Sequence, residues 1–160
     1  MCAHHFKGGS ITISPHFFAG AAVATLTNNP IVAFLLGFVL HFLLDMLPHT
    51  DPGLFNRSKK WPLWLYIYCV VEFTLTIAIF VILFYKRTDF TIIALGGLGG
   101  IFPDILENMP IKNFNNLPVF KQISAFHNNI HFSLERKDWY WGLPIEIIVL
   151  GGSIWLLLKF

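Results

Sequence analysis

Four ionisable groups stand within a stretch that is otherwise apolar: His41, Asp45, His49 and Asp51 in LHFLLDMLPHTD. His41 and Asp45 are spaced i, i+4, so on a helix they share one face, where they can chelate one ion or hold a histidine–carboxylate hydrogen bond. Pro48 ends such a helix, and the freed backbone lets His49 and Asp51 fold back toward the same point. His127 and His131 repeat the i, i+4 spacing, the arrangement by which helical zinc sites present two imidazoles. Asp104 follows Pro103 in GGIFPD, and His16 stands near the start of the first apolar segment. The two cysteines, Cys2 and Cys69, lie in different settings and form neither a disulfide framework nor a thiolate motif. Any metal site therefore uses imidazoles and carboxylates. His4 and His5, in the polar start of the chain, read as solvated.

The elements that must position these groups are helices in a membrane. Of the 160 residues 55% are hydrophobic and only 12% charged, against about 25% charged in a soluble domain. The composition predicts an all-α, polytopic transmembrane bundle of about five membrane helices plus one amphipathic interfacial helix. Residues 1–14 read as a tail and 15–160 as a single transmembrane helical domain.

Ser14 is suited to cap a first helix, retained in the mature chain, from about Pro15 to Thr27. A second runs from after Pro30 to about Leu47, a third from Trp61 to Tyr85 and a fourth from Phe90 to Asn108. An amphipathic helix is expected near Val119 to Phe132, and a last span from Trp139 to Leu158. The GGLGG run at 96–100 implies close backbone approach by a neighbouring helix; it precedes no lysine and follows no strand, so it is not a phosphate cradle. The many Phe and Trp serve packing and interface anchoring.

Threading these helices through a bilayer brings every histidine beyond the tail to one side, together with Asp45, Asp51 and Asp104. That convergence points to a metal site. Of the 11 Lys and Arg, only Lys86, Arg87 and Lys159 fall on the other side, so the histidine side is cytoplasmic by the positive-inside rule. Glu72 and Glu146 lie inside spans, where a carboxylate must find a partner or stay protonated, and they are placed to meet His41 across the interior. The net charge of +2, spread over loops, gives no reason to expect nucleic acid. Membrane lipid is the expected surrounding, and the oligomeric state is not set by the sequence.

HFLLDMLPHTD, GGIFPDILEN and HNNIHFS, preceded by His16, resemble the small membrane-bound metal-dependent hydrolases of the LexA-binding, inner-membrane-associated type. The resemblance covers about His16 to Ser133 and implies a bacterial inner-membrane location. It also implies that His16, His41, Asp45, His49, Asp51, Asp104, His127 and His131 serve metal binding or catalysis.

On that basis the chain is expected to bind a divalent metal at the cytoplasmic membrane face and to hydrolyse an ester or phosphoester of a small molecule or lipid. Donors of nitrogen and oxygen without thiolate suit Zn2+, with Mn2+ or Fe2+ also compatible. His16, His41, Asp104, His127 and His131 are the expected ligands. Asp45, His49 and Asp51 are the expected catalytic groups, Asp45 orienting His41 or ligating and the other two supplying a general base. The number of candidates leaves room for two ions. The rival functions are a metal or proton transporter using Glu72, Glu146 and His41, and a non-catalytic membrane protein that binds a partner.

Overall fold

A computed structural model describes residues 12–49, 62–108, 117–132, 134 and 140–160. They form six helices: α1 (Ile13–Ala24), α2 (Pro30–Asp45), α3 (Leu63–Phe84), α4 (Phe90–Asn108), α5 (Pro118–Ile130) and α6 (Gly142–Lys159). The described residues contain no strand, as the all-α expectation requires.

Local chemistry sets several of these limits. The Asn29 side chain accepts hydrogen bonds from the amides of Ile31 (2.9 Å) and Val32 (3.2 Å), and Pro30 takes the first helical position of α2, where its missing N–H costs nothing. The helix ends at Asp45, two residues short of the expected Leu47, so His49 lies beyond it. The start of α1 departs from expectation. Thr12 is the N-cap and makes no side-chain cap, while Ser14 is already inside the helix. The Ser14 amide and hydroxyl instead donate to Oε1 of Glu72 on α3 (3.2 and 3.3 Å), and Ser14 Oγ also meets Thr76 Oγ1 at 2.7 Å.

Glu72 thus acts as an acceptor for α1 from a neighbouring helix. A buried carboxylate at a helix N-terminus faces unpaired amides and the positive end of the helix dipole. This partner replaces the expected one, His41.

The centre of the bundle is α4 lying in the notch between α1 and α2. A Cβ at Gly37 would run into the carbonyl oxygen of Gly96, and one at Gly100 into the carbonyl oxygen of His16. Only hydrogen at these positions allows the helix backbones to touch. Phe17 and Phe18 of α1 extend the core to α3 through Phe80, at 5.1 and 6.2 Å between ring centroids. At the far end Arg87 donates to the Leu157 carbonyl, in the last turn of α6, and pairs with Asp89. The Arg87 guanidinium holds the Asp89 carboxyl below the usual carboxylate range.

Among the described residues two helices, not five, are long and apolar enough to cross a membrane: α3 with 22 residues and α6 with 18. At about 1.5 Å per residue, the 12 residues of α1 and the 16 of α2 reach about 18 and 24 Å, short of a hydrocarbon layer of about 30 Å. Asn28, Asn29 and Pro30 end one helix and begin the next too soon. α4 runs unbroken through Pro103, which is buried within it. Only 17% of the apolar window of α3, and the same share of α6, is buried, so Val70, Ile82 and Ile148 are among the large apolar side chains facing outward.

Gly37→Ala forces backbone away from backbone and is expected to destabilise the protein by about 1–3 kcal/mol. Gly151→Ala, on a helix face with nothing within 4 Å of the added carbon, is expected to be neutral or to gain up to about 1 kcal/mol. Thermal unfolding in detergent micelles checks the pair; equal midpoints would refute the close packing.

Candidate metal centre

Five stretches of chain meet at one point. The first turn of α1 brings His16, the last turns of α2 bring His41 and Asp45, and the segment after Pro48 brings His49. α4 supplies Asp104 from the turn that contains Pro103, and α5 supplies His127 in its last turn and His131 as its C-cap. A main-chain hydrogen bond from the Phe132 amide to the Asp45 carbonyl (2.8 Å) ties the end of α5 to the end of α2. That bond holds two imidazoles beside helices from which they are far separated in sequence.

Asp45 is the hub. Its Oδ2 lies 2.5 Å from His127 Nε2 and 3.0 Å from His41 Nε2, and its Oδ1 lies 3.4 Å from His16 Nε2. His41 Nε2 is also 3.7 Å from Asp104 Oδ1, and His49 Nε2 meets His131 Nε2 at 3.2 Å. His41 and Asp45 are each 1% exposed.

The tautomers make this packing informative. His41 Nδ1 donates to the Gly100 carbonyl at 2.8 Å, so in the neutral ring Nε2 carries a lone pair. That lone pair faces the oxygens of two carboxylates and makes no aligned hydrogen bond. His49 differs: its Nδ1 donates to the Leu47 carbonyl at 2.9 Å, and its Nε2 accepts a hydrogen bond from the Nε2–H of His131 at 3.2 Å. The His41 electron pair and the carboxylate oxygens repel in a low dielectric. A cation among them, a proton or a metal ion, reverses the sign of the interaction. The nitrogens anchored to backbone carbonyls are the outer contacts that orient metal-bound histidines.

Three overlapping groups have ligand atoms all within 4.8 Å of one another: His16, His41 and Asp45; His41, Asp104 and His127; Asp45, His49 and His131. Each can hold a metal ion. The last two share no residue, so the cluster offers donors for two ions side by side. Asp45 belongs to two groups and is a ligand candidate in its own right, beyond the orienting role expected of it. The donors are nitrogen and oxygen only, and Cys69 belongs to none of the groups.

Seven of the eight residues singled out in the sequence therefore converge; Asp51 lies outside the described residues. The depth of the site differs from expectation. Ser14 meets Glu72 and Thr76, while Phe17 meets Phe80, so His16 is level with the middle of α3, more than about 14 Å along from Leu63. The ligands sit at helix ends, but those helices are shorter than α3 and stop beside its middle. Glu146, expected from the sequence to meet His41 across the interior, borders a small cavity with His16 and His49.

Compared with known proteins, the chain matches no family model, no curated protein and no solved structure. The assignment rests on the site itself.

Because Asp45 touches three imidazoles, Asp45→Asn is expected to weaken metal binding by at least the 10- to 100-fold, roughly, that loss of an orienting contact alone costs. Titration of the metal-depleted protein against a chelating dye reads this directly, and wild-type affinity in the variant would refute the shared site.

Proposed function

We propose that the chain is an integral membrane protein that binds zinc and hydrolyses an ester or phosphoester bond of a lipid, with its site opening toward the cytoplasmic leaflet. The observation that carries this reading is the packing of seven His and Asp side chains, three of them from beyond residue 100, around the Asp45 carboxylate inside an otherwise apolar bundle. Buried ionisable groups at membrane depth are costly and mark function. The outward apolar faces of α3 and α6 support the membrane setting, and Trp64, Tyr66, Tyr140 and Trp141, exposed near the starts of these two helices, suit an interfacial belt.

His16, His41, Asp104, His127 and His131 with Asp45 would hold the zinc, which would supply Lewis acidity toward a water near neutral pH. The chain's own groups do the rest. The Gly100 carbonyl fixes the His41 ring, so that Nε2 is the nitrogen turned to the site. His49, anchored through Nδ1 to the Leu47 carbonyl, turns Nε2 to the cluster as the proposed proton acceptor, with Asp51 proposed as a second base on its sequence position alone. The donor set also suits manganese or iron.

Beyond His16, α1 continues with Phe17, Phe18, Ala21, Ala22 and Ala24, all buried and apolar. A transporter needs a polar route past this point; a hydrolase needs only a site that ends there. The core therefore favours hydrolysis over transport.

Chelation is expected to abolish hydrolysis of phosphatidylglycerol in mixed micelles and added zinc to restore it, while His49→Ala lowers turnover by about 10²–10⁴-fold. Liberated product measured by mass spectrometry is the readout. Hydrolysis indifferent to both chelator and His49→Ala, or none in the zinc-loaded protein on any ester or phosphoester, would overturn the reading.

A further inference from the structure

An imidazole that ligates through one ring nitrogen needs the other held by an acceptor. At this centre His41 Nδ1 donates to the Gly100 carbonyl and His49 Nδ1 to the Leu47 carbonyl. His16 has no such anchor. Its Nε2 faces Asp45 Oδ1 at 3.4 Å, while its Nδ1 is buried with no hydrogen-bond partner in the protein. The residue is 5% exposed, so bulk water does not reach it, and a buried N–H without an acceptor is costly.

What His16 does border is a cavity of about 20 Å³ between the start of α1, the end of α2 and α6. A space of about 10–15 Å³ holds one water, provided polar groups surround it. Four of the bordering residues carry polar side chains: Thr12, His16, His49 and Glu146. The rest of the wall is Pro15 and aliphatic side chains such as Leu44 and Val149. Both ring nitrogens of His49 are already engaged, one with the Leu47 carbonyl and one with His131. Glu146, half-buried in the second turn of α6, offers a carboxylate. It is also an electrostatic neighbour of Tyr68 on α3, and a carboxylate with about four acceptor positions can serve both.

We infer that Glu146 is a positioning residue for His16, acting through one water in this cavity: His16 Nδ1–H donates to the water, and the water donates to the Glu146 carboxylate. The inference rests on the metal reading above and adds an outer contact to it. The direction of the chain follows from Glu146. An ionised carboxylate only accepts, so the water gives it a hydrogen and keeps a lone pair for Nδ1–H. With its hydrogen on Nδ1, the neutral His16 ring carries its lone pair on Nε2, the nitrogen turned to Asp45. His16, His41 and His49 then share one arrangement, an acceptor behind the ring and a lone pair in front. A bridging water is nearly as good a link as a direct bond, and a carboxylate behind a histidine raises its basicity as a ligand. α6 supplies no donor to the three ligand groups; through Glu146 it is joined to the centre all the same.

Full-length protein carrying nitrogen-15-labelled histidine, in detergent micelles at about pH 8, above the ordinary imidazole range, tests the contact by NMR first without metal. The His16 ring, its signals assigned by their loss in His16→Gln, is expected as the Nδ1–H tautomer. Glu146→Leu removes the acceptor and is expected to move the hydrogen to Nε2, toward Asp45. Glu146→Gln, whose amide oxygen still accepts, is expected to keep it on Nδ1. Zinc titrated against a chelating dye is then expected to bind Glu146→Leu roughly 10- to 100-fold more weakly than wild type and Glu146→Gln within about 3-fold, the difference being the loss of an outer contact. Unchanged signals from the other histidines certify the fold of each variant; should Glu146→Leu fail to fold, the wild-type tautomer still decides. An Nε2–H ring in the wild type, a tautomer indifferent to Glu146→Leu, or equal zinc affinities in wild type and Glu146→Leu would overturn the proposal. The tautomer is read without zinc, so this contact can fail while zinc binding stands, and a chain that binds no zinc refutes the metal reading while the tautomer still decides the contact.

Discussion

The architecture depends on three helices meeting without side chains between them. α4 lies in the notch of α1 and α2 with Gly96 and Gly100 against Gly20, Gly37 and the His16 carbonyl. In a lipid environment there is no hydrophobic force to press helices together, so close packing and polar contacts must do it. The same contact sets the chemistry. It brings the Gly100 carbonyl to His41 Nδ1 and carries Asp104 to the level of His41, one turn further along α4. A wider spacing of the helices would separate the carboxylates from the imidazoles.

Within that frame the Asp45 carboxylate organises the polar cluster. It is almost inaccessible, and three imidazole nitrogens from α1, α2 and α5 surround it. His127 hydrogen-bonds to it through Nε2, whereas a neutral His41 ring, its Nδ1 committed to the Gly100 carbonyl, presents a lone pair to it, which is unfavourable in a low dielectric unless a cation joins it. The cost of burying so many polar groups is thus coupled to ion binding. Glu72 solves a similar problem by a different route: half-buried on α3, it takes the amide end of α1 as its partner.

The molecule is polar inside at one level and apolar outside along most of its length. α3 and α6 carry the outward apolar faces, while the shorter α1 and α2, with α4 and α5, hold the site. Because α1 begins beside the middle of α3, the polar centre is recessed and not set at the end of the bundle. Arg87 ties the turn after α3 to the last turn of α6 at the opposite end, and Lys159 lies over the Trp155 ring at 5.0 Å, its stem along the apolar helix and its charge at the end.

Helix number, the start of α2 near Pro30, the packing role of the glycine run and seven members of the His/Asp cluster that could hold a metal ion were legible in the sequence. Each depends on local spacing: i, i+4 pairs, proline positions and runs of apolar residues are statements about one helix at a time. The depth of the site, the hub role of Asp45 and the partner of Glu72 were not legible, because they depend on the register between helices. Sequence counts turns along each helix, whereas the offset of α1 against α3 follows from which side chains interlock, Phe17 with Phe80 and Ser14 with Glu72. The expected five spans became two for a different reason: α1 and α2 end after 12 and 16 residues, too few to cross a hydrocarbon layer. Apolar composition along a segment does not fix where its helix stops, and only the folded backbone decided that.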